Sequence, residues 1–436
     1  MFRKRVQLGL IHVAVAMTLV PINSTLNRIM IKELAMSATL VALLASLPYL
    51  FSPVQMAIGS FSDRHPVIGY RRTPYIALGL LLCVLGVIVA PQAAYLMSTH
   101  WWKGLMLGIV SFGAWGMGYN FASVSYLSLA SELSGAKGRS RTVSVMFFMM
   151  IVGIILTALG LSRLLETYSS GVLERAFLIV AVTAFALGVL GLVGLEPRSK
   201  EKPVGTKERI RKRSQIRFII KNKQVALFFV YLVIMLTAIL GQDILLEPFA
   251  AEAFDMSVQQ TTRITAIWGV CFLLSLVAAG VSEGRISKGT VAIVGAWGAI
   301  SSFLLIAGSA LAANQGIFYF GVVLLGLSTG LATVSNLSLM LDMTIAGKVG
   351  MFIGIWGVAN ALARLTGNVM SGVVRDIVTF LTQNPVSGYM VVFVIEALLL
   401  GVSLVLLRGI DVHVFRKQVE DQPNLVERAA MANDAG

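Results

Sequence analysis

Ser125-Tyr126-Leu127-Ser128-Leu129 recurs later in the chain as Ser335-Asn336-Leu337-Ser338-Leu339, and an acid follows each copy at the same offset, Glu132 after the first and Asp342 after the second. Gly59 and Arg64 are matched in the same way by Gly280 and Arg285. The chain therefore reads as two copies of one unit. The content of each unit then decides the fold.

Each copy lies in a long apolar stretch, and a helix that crosses a bilayer needs about 20 mostly apolar residues. Twelve such stretches fall at roughly 6–28, 36–60, 74–97, 104–130, 142–162, 174–195, 224–250, 260–281, 290–312, 316–341, 349–372 and 387–408. With 57% hydrophobic and 13% charged residues and a mean hydropathy of +0.83, a water-soluble globule is excluded. Ten-residue segments of alternating polarity are absent, so the spans are helices and not barrel strands. Arg3-Lys4-Arg5 before the first span imitates an export signal. Pro21-Ile22-Asn23 interrupts it and no small-residue cleavage site follows, so it reads as a retained helix.

Between the sixth and seventh spans lies a polar segment dominated by Lys and Arg, with Pro197, Pro203 and Gly205. The expected organisation is an N-terminal six-helix bundle at 1–195, a basic cytoplasmic linker at 196–223, a C-terminal six-helix bundle at 224–408 and a cytoplasmic tail at 409–436. The net charge of +14 is mainly a topology signal. With the N-terminus inside, the great majority of the 35 Lys and Arg fall on the cytoplasmic side, which puts both termini there. The basic residues are scattered over separate loops, so nucleic acid is not the partner and the lipid bilayer is. Thr206–Lys223 reads as a basic amphipathic stretch resting on anionic headgroups. Cys83 and Cys271 fall far apart inside spans and suggest neither a disulfide nor a metal cluster.

A six-plus-six duplication is the layout of the major facilitator superfamily. Gly59-x-x-x-Asp63-Arg64, followed by Gly69-x-Arg71-Arg72, resembles that superfamily's loop motif between helices 2 and 3. There, glycines allow close helix approach and charges latch the halves. His65-Pro66-Val67-Ile68 lengthens the motif, and in the second half Gly284 replaces the aspartate. With Glu132 and Asp342, these residues form the candidate conformational motif; a purely structural hinge is the plainer reading. The resemblance implies that helices 1, 4, 7 and 10 line a central cavity. Candidate pigment or cavity residues are His12, Asn23, Asn27, Asn120, Ser335, Asn336 and, in the last span, Glu396, although small polar residues also serve helix packing.

Four blocks carry a more specific likeness: Leu26-Asn27-Arg28-Ile-Met30-Ile-x-Glu33-Leu34; Tyr70-Arg71-Arg72-Thr-Pro74-Tyr75-Ile; Gln242-Asp243-Ile-Leu-Leu-Glu247-Pro248, running on to Ala266-Ile-Trp268-Gly269; and Leu337-Ser-Leu-Met-Leu-Asp342-Met-Thr, running on to Ala359-Asn-Ala-Leu-Ala-Arg364. In these blocks the chain resembles the PucC/LhaA family of major-facilitator-like membrane proteins of phototrophic bacteria. Asn360 and the segment 345–348 depart from the family pattern. The resemblance implies a non-enzymatic factor for assembly of light-harvesting complexes, with bacteriochlorophyll or chlorophyll as the molecule handled. It also implies antenna or reaction-centre polypeptides as partners, and a bacterial inner or intracytoplasmic photosynthetic membrane as the location. Docking of a pigment-synthesis enzyme on the basic linker is a further possibility in that setting. Alternatives are a proton-coupled carrier of a small amphipathic solute and a pigment-free scaffold.

Gln242, Asp243 and Glu247, with Arg28, are the rim or gate candidates. Asp243 and Glu247 stand four residues apart on one helical face, and Pro248 predicts a helix end or kink. At helical rise, Asp243 stands roughly 30 Å beyond Lys223, near the outer rim, where Arg28 or Lys32 would be a natural partner. His12 is the only histidine deep in a span; imidazole ligates magnesium pigments, though a lone membrane histidine more often hydrogen-bonds within the bundle. Glu396 and Arg364 are charges at membrane depth that need partners. No phosphate-binding glycine loop, zinc-ligand spacing or nucleophile–base arrangement is present.

Overall fold

A computed structural model describes residues 2–198, 223–282, 286–342 and 349–411. The linker from 199 to 222, including most of the amphipathic stretch, and the tail from 412 lie outside it, as do the side chains of Asp63, Arg64 and Asp342.

The elements are α1 (Phe2–Met17), α2 (Ala38–Ala45), α3 (Leu47–Leu50), α4 (Gln55–Arg64), α5 (Thr73–Thr99), α6 (Trp101–Leu164) and α7 (Ser170–Leu192) in the first half. The second half holds α8 (Lys223–Gly241), α9 (Leu246–Phe254), α10 (Val258–Val281), α11 (Lys288–Leu311), α12 (Gln315–Asp342), α13 (Val349–Thr382) and α14 (Pro385–Arg408). Among the described residues no β-strand forms, and nine segments are long and apolar enough to cross a membrane. The other expected spans correspond to the broken run α2–α4, to the first part of α6 and to α13, which are not among those nine. α6 carries two of the expected spans in one rod, interrupted only where Gly135 takes φ 60°.

Helix starts follow local chemistry. The hydroxyls of Ser37, Ser169, Ser257 and Ser287 accept backbone N–H groups of the first turns of α2, α7, α10 and α11, and Ser257 with Gln260 completes a capping box. The packing is close-range. A Cβ placed on Gly79 of α5 would lie 2.7 Å from the Gly118 carbonyl oxygen of α6. The same holds between α8 and α13, where a Cβ on Gly367 would come 2.8 Å from the Thr237 oxygen and 3.1 Å from the Gly241 Cα. Small residues thus set the helix spacing in both halves.

Candidate functional site

Two helices lose their regularity at matching positions. After α1 the chain continues in two wide turns, Pro21–Leu26 and Ile29–Glu33, in which the amides of Asn27 and Leu34 reach back five residues to Ile22 and Ile29. Pro21 has no N–H to give and its ring crowds the preceding turn, so a normal α-helix does not run through it. α8 stops at Gly241, one tight turn follows at Gln242–Ile244, and α9 resumes. The offset that carries Gly59 onto Gly280 also carries Pro21 onto Gln242. The first helix of each half therefore breaks at the same level, and the two breaks pack against each other. Broken helices at membrane depth are tolerated where they are covered by protein or line a cavity.

The α8 break holds the first charged group. Arg364, near the middle of α13, donates from Nη1 to Asp243 Oδ2 at 2.8 Å, and Gln242 Nε2 donates to Asp243 Oδ1 at 2.8 Å. On its other side the guanidinium lies 5.6 Å from the ring centre of Tyr49, which belongs to α3 in the first half. The side chains keep 32% and 27% of their surface open. The pair thus stands where the second half meets the first, and it is only partly buried there.

Glu247 is buried in the seam. Its Oε1 accepts from Ser24 Oγ of the first broken helix and from Thr265 Oγ1 of α10 at 2.6 Å. Beside it Thr25 and Thr262 share a hydrogen bond of 3.3 Å. Neither Asp243 nor Glu247 bonds Arg28 or Lys32, the partners anticipated for them. Arg28 pairs with Glu33 and donates to the Met256 carbonyl at 3.0 Å, and Lys32 pairs with Glu252 at 3.2 Å. The chain continues past the two carboxylates as α9, which carries Glu247 in its first turn.

Glu396 of α14 is fully buried, accepting from Ser371 Oγ of α13 at 3.2 Å and lying against Gly241 at the α8 break. Asn120 of α6 donates to the Pro48 and Gly116 carbonyls at 2.9 and 2.8 Å and accepts from Gln55. It thereby pins the broken run α2–α4. Asn336 of α12 accepts from Tyr231 of α8 at 2.6 Å and donates to the Ala332 carbonyl at 2.6 Å; Ser335 donates to the same carbonyl at 3.1 Å. Asn27, fully buried, donates to the Asn23 carbonyl at 2.9 Å within the wide turn. His12 stands apart, in α1, with the rings of Tyr126 and Phe147 of α6 each 5.0 Å away and its Nδ1 buried without a partner.

A second set of contacts closes one side of the pair. Asp376 near the end of α13 accepts the backbone N–H groups of Ala38 and Thr39 at 3.0 and 2.8 Å and the Thr39 hydroxyl at 2.7 Å, so the second half caps a helix of the first. Asn368 donates to Ser46 at 3.1 Å, and Ser162 of α6 donates to the Gln259 carbonyl at 2.9 Å. With the Arg28 and Lys32 contacts, these join the halves on the side of the 33–38 turn.

The loop motif works within the first half. Val67 and Tyr70 exchange two backbone hydrogen bonds around Ile68 and Gly69, both at positive φ, a hairpin turn in which glycine is at ease and isoleucine is not. Gly59 packs near Val124. Arg72 is buried, donating to Glu132 at 2.8 Å and to Ser62 at 2.7 Å. Glu196 accepts the N–H groups of Arg71, Arg72 and Thr73, capping α5. Sequence reasoning missed Glu196, Asp376, Tyr49 and Thr265. Glu196 directly before Pro197 at a span end was the one visible signal.

Among the described residues no group of three or more His, Cys, Asp or Glu is placed to hold a metal ion. Against known proteins, the family model described as PUCC protein matches residues 25–415. The protein PucC of Cereibacter sphaeroides is 29% identical over 419 residues, covering 93% of this chain and 91% of that one. A Rhodobacter capsulatus protein named bacteriochlorophyll synthase 44.5 kDa chain is 26% identical over 411 residues, covering 93% and 94%. Among solved structures, a point mutant of the nucleoside transporter NupG superposes with a TM-score of 0.74 at 14% identity, over 93% of this chain and 99% of that one. That likeness establishes the major facilitator fold and nothing about substrate.

Proposed function

The chain belongs to the PucC protein family, whose model matches residues 25–415, and from that membership we propose that it is a membrane assembly factor for photosynthetic light-harvesting complexes that handles (bacterio)chlorophyll. The match over both halves is the observation that carries the reading, since it includes the Gln242–Pro248 break and Arg364 together. The fold is shared with membrane transporters, which agrees with a factor that positions a molecule without changing it.

In this reading the halves form a pigment-receiving cleft, with the Asp243–Arg364 pair on its wall and Tyr49 facing it. The protein lies in a bacterial photosynthetic membrane with both termini cytoplasmic, as the Lys and Arg distribution favours. The 33–38 side, sealed by Asp376, is then periplasmic, and the cleft opens toward the cytoplasm. Residues 1–195 and 224–408 act as two bodies on either side of it. Antenna polypeptides are the partners to which pigment passes.

One observation favours a second reading. Matching breaks in the first helix of each half, with an ion pair at one of them, are what carriers of small solutes use to bind and release. An amphipathic-solute carrier would use the same cleft.

Purification in mild detergent from a phototrophic host, followed by an absorption spectrum, separates the two. A near-stoichiometric long-wavelength pigment band supports the proposal. A colourless protein that moves a solute across a vesicle membrane overturns it in favour of the carrier.

A further inference from the structure

The Asp243–Arg364 pair has more hydrogen-bonding capacity than its neighbours use. A guanidinium presents five N–H donors in a planar fork. Among the described residues Nη1 donates to Asp243 and the other Arg364 nitrogens bond nothing, while 32% of the side chain stays open. That open edge lies at the seam of the two halves, with Asp243 of the second half on one side and the Tyr49 ring of the first on the other. Donors at this depth need acceptors, and a ligand entering the cleft supplies them.

Charge decides which acceptor fits. Asp243 already neutralises the guanidinium, and it is anchored, since Gln242 holds its Oδ1 and the tight turn fixes its backbone. A second carboxylate would put two anions on one cation where the dielectric is low. An uncharged carbonyl or ester oxygen adds a hydrogen bond and leaves the site neutral. The Tyr49 ring offers a flat apolar surface beside it, suited to a planar amphipathic molecule.

We infer that the open edge of Arg364 is a recognition site for an uncharged carbonyl or ester oxygen of a planar amphipathic ligand, with Asp243 excluding ligands that bring a free carboxylate. This rests on the pigment-handling reading of the same cleft. It implies that the reaction esterifying the pigment's acid group precedes loading.

The test compares two probes with one macrocycle, bacteriochlorophyllide methyl ester and the free acid. Each is titrated onto the full-length protein in lipid nanodiscs and followed by absorbance. The wild type should bind the ester more tightly. Asp243→Asn leaves the cation uncompensated and should move the ester-to-acid ratio toward the acid by about tenfold or more. The double variant Arg364→Gln with Asp243→Asn, neutral like the wild type, should lose about tenfold in ester binding. The ester-to-acid ratio of each variant is internal to one preparation, so partial misfolding does not alter it. Preference for the acid in the wild type, or a ratio unmoved by Asp243→Asn, overturns the inference while pigment handling stands. If neither probe binds the wild type, the pigment reading itself falls and the inference with it.

Discussion

Asp243 and Arg364 meet at 2.8 Å where α8 breaks, and this contact fixes the break against the middle of α13 while the same guanidinium faces Tyr49 across the seam. One ion pair thus connects a helix discontinuity, a long continuous helix and the opposite half. Removing either partner leaves a charge at membrane depth. Arg364→Gln or Asp243→Asn alone should each lower stability by roughly 1–3 kcal/mol, the open surface moderating what a fully buried pair would lose. The double variant should lose clearly less than the sum of the two. Thermal unfolding in one detergent checks this, and additive losses would show that the pair is not coupled.

The α8–α13 contact depends on Gly241 and Gly367. A side chain on Gly367 meets backbone atoms at 2.8 and 3.1 Å, which do not move aside easily. Gly367→Val should therefore destabilise by about 2 kcal/mol or more. Gly401, with nothing within 4 Å of an added Cβ, is the control. Gly401→Ala should behave as wild type in the same melt.

Asp376 ties α13 to the start of α2 through three hydrogen bonds. Asp376→Asn weakens this cap, worth about 0.5–2 kcal/mol, and shifts the halves apart on the 33–38 side. A cysteine introduced as Ser46→Cys, at a position 1% exposed in the seam, reports the opening. Its labelling by a polar maleimide should rise several-fold when Asp376→Asn is added; unchanged labelling would show that this contact does not hold the seam. Cys83 and Cys271 are buried and give a slow background.

Glu247 accepts two hydroxyl donors in the seam, and neither is a cation. A neutral amide of the same shape keeps an oxygen acceptor for Ser24 and Thr265. Glu247→Gln should stay within about 1 kcal/mol of wild type, whereas Glu247→Ala, which leaves a void and two stranded hydroxyls, should lose about 2 kcal/mol or more. A larger loss for Gln than for Ala in the same melt would indicate that the carboxylate charge itself holds the seam.

The fold was legible because membrane helices announce themselves by apolar length, and because the Ser125 and Ser335 blocks exposed the duplication. Pro248 predicted an irregularity in the seventh span, but the break falls at Gln242–Ile244 and Pro248 sits in the first turn of the helix that resumes. Pro21 counted only against an export signal. Partner choice was not legible. Arg28 looked available to Glu247, yet Glu33 and the Met256 carbonyl take it. Asp376 and Tyr49 lie far in sequence from the groups they meet, and pairing across halves leaves no spacing pattern to read.

The central claim, a role in assembling light-harvesting complexes, is tested most directly in a phototrophic bacterium that carries this chain as its chromosomal copy. The measurement is antenna absorbance per reaction centre in membranes from a deletion strain, with and without the wild-type chain supplied in trans. The account predicts a deep loss of antenna absorbance, with reaction centres retained, and recovery on complementation. Antenna absorbance unchanged by the deletion would contradict it.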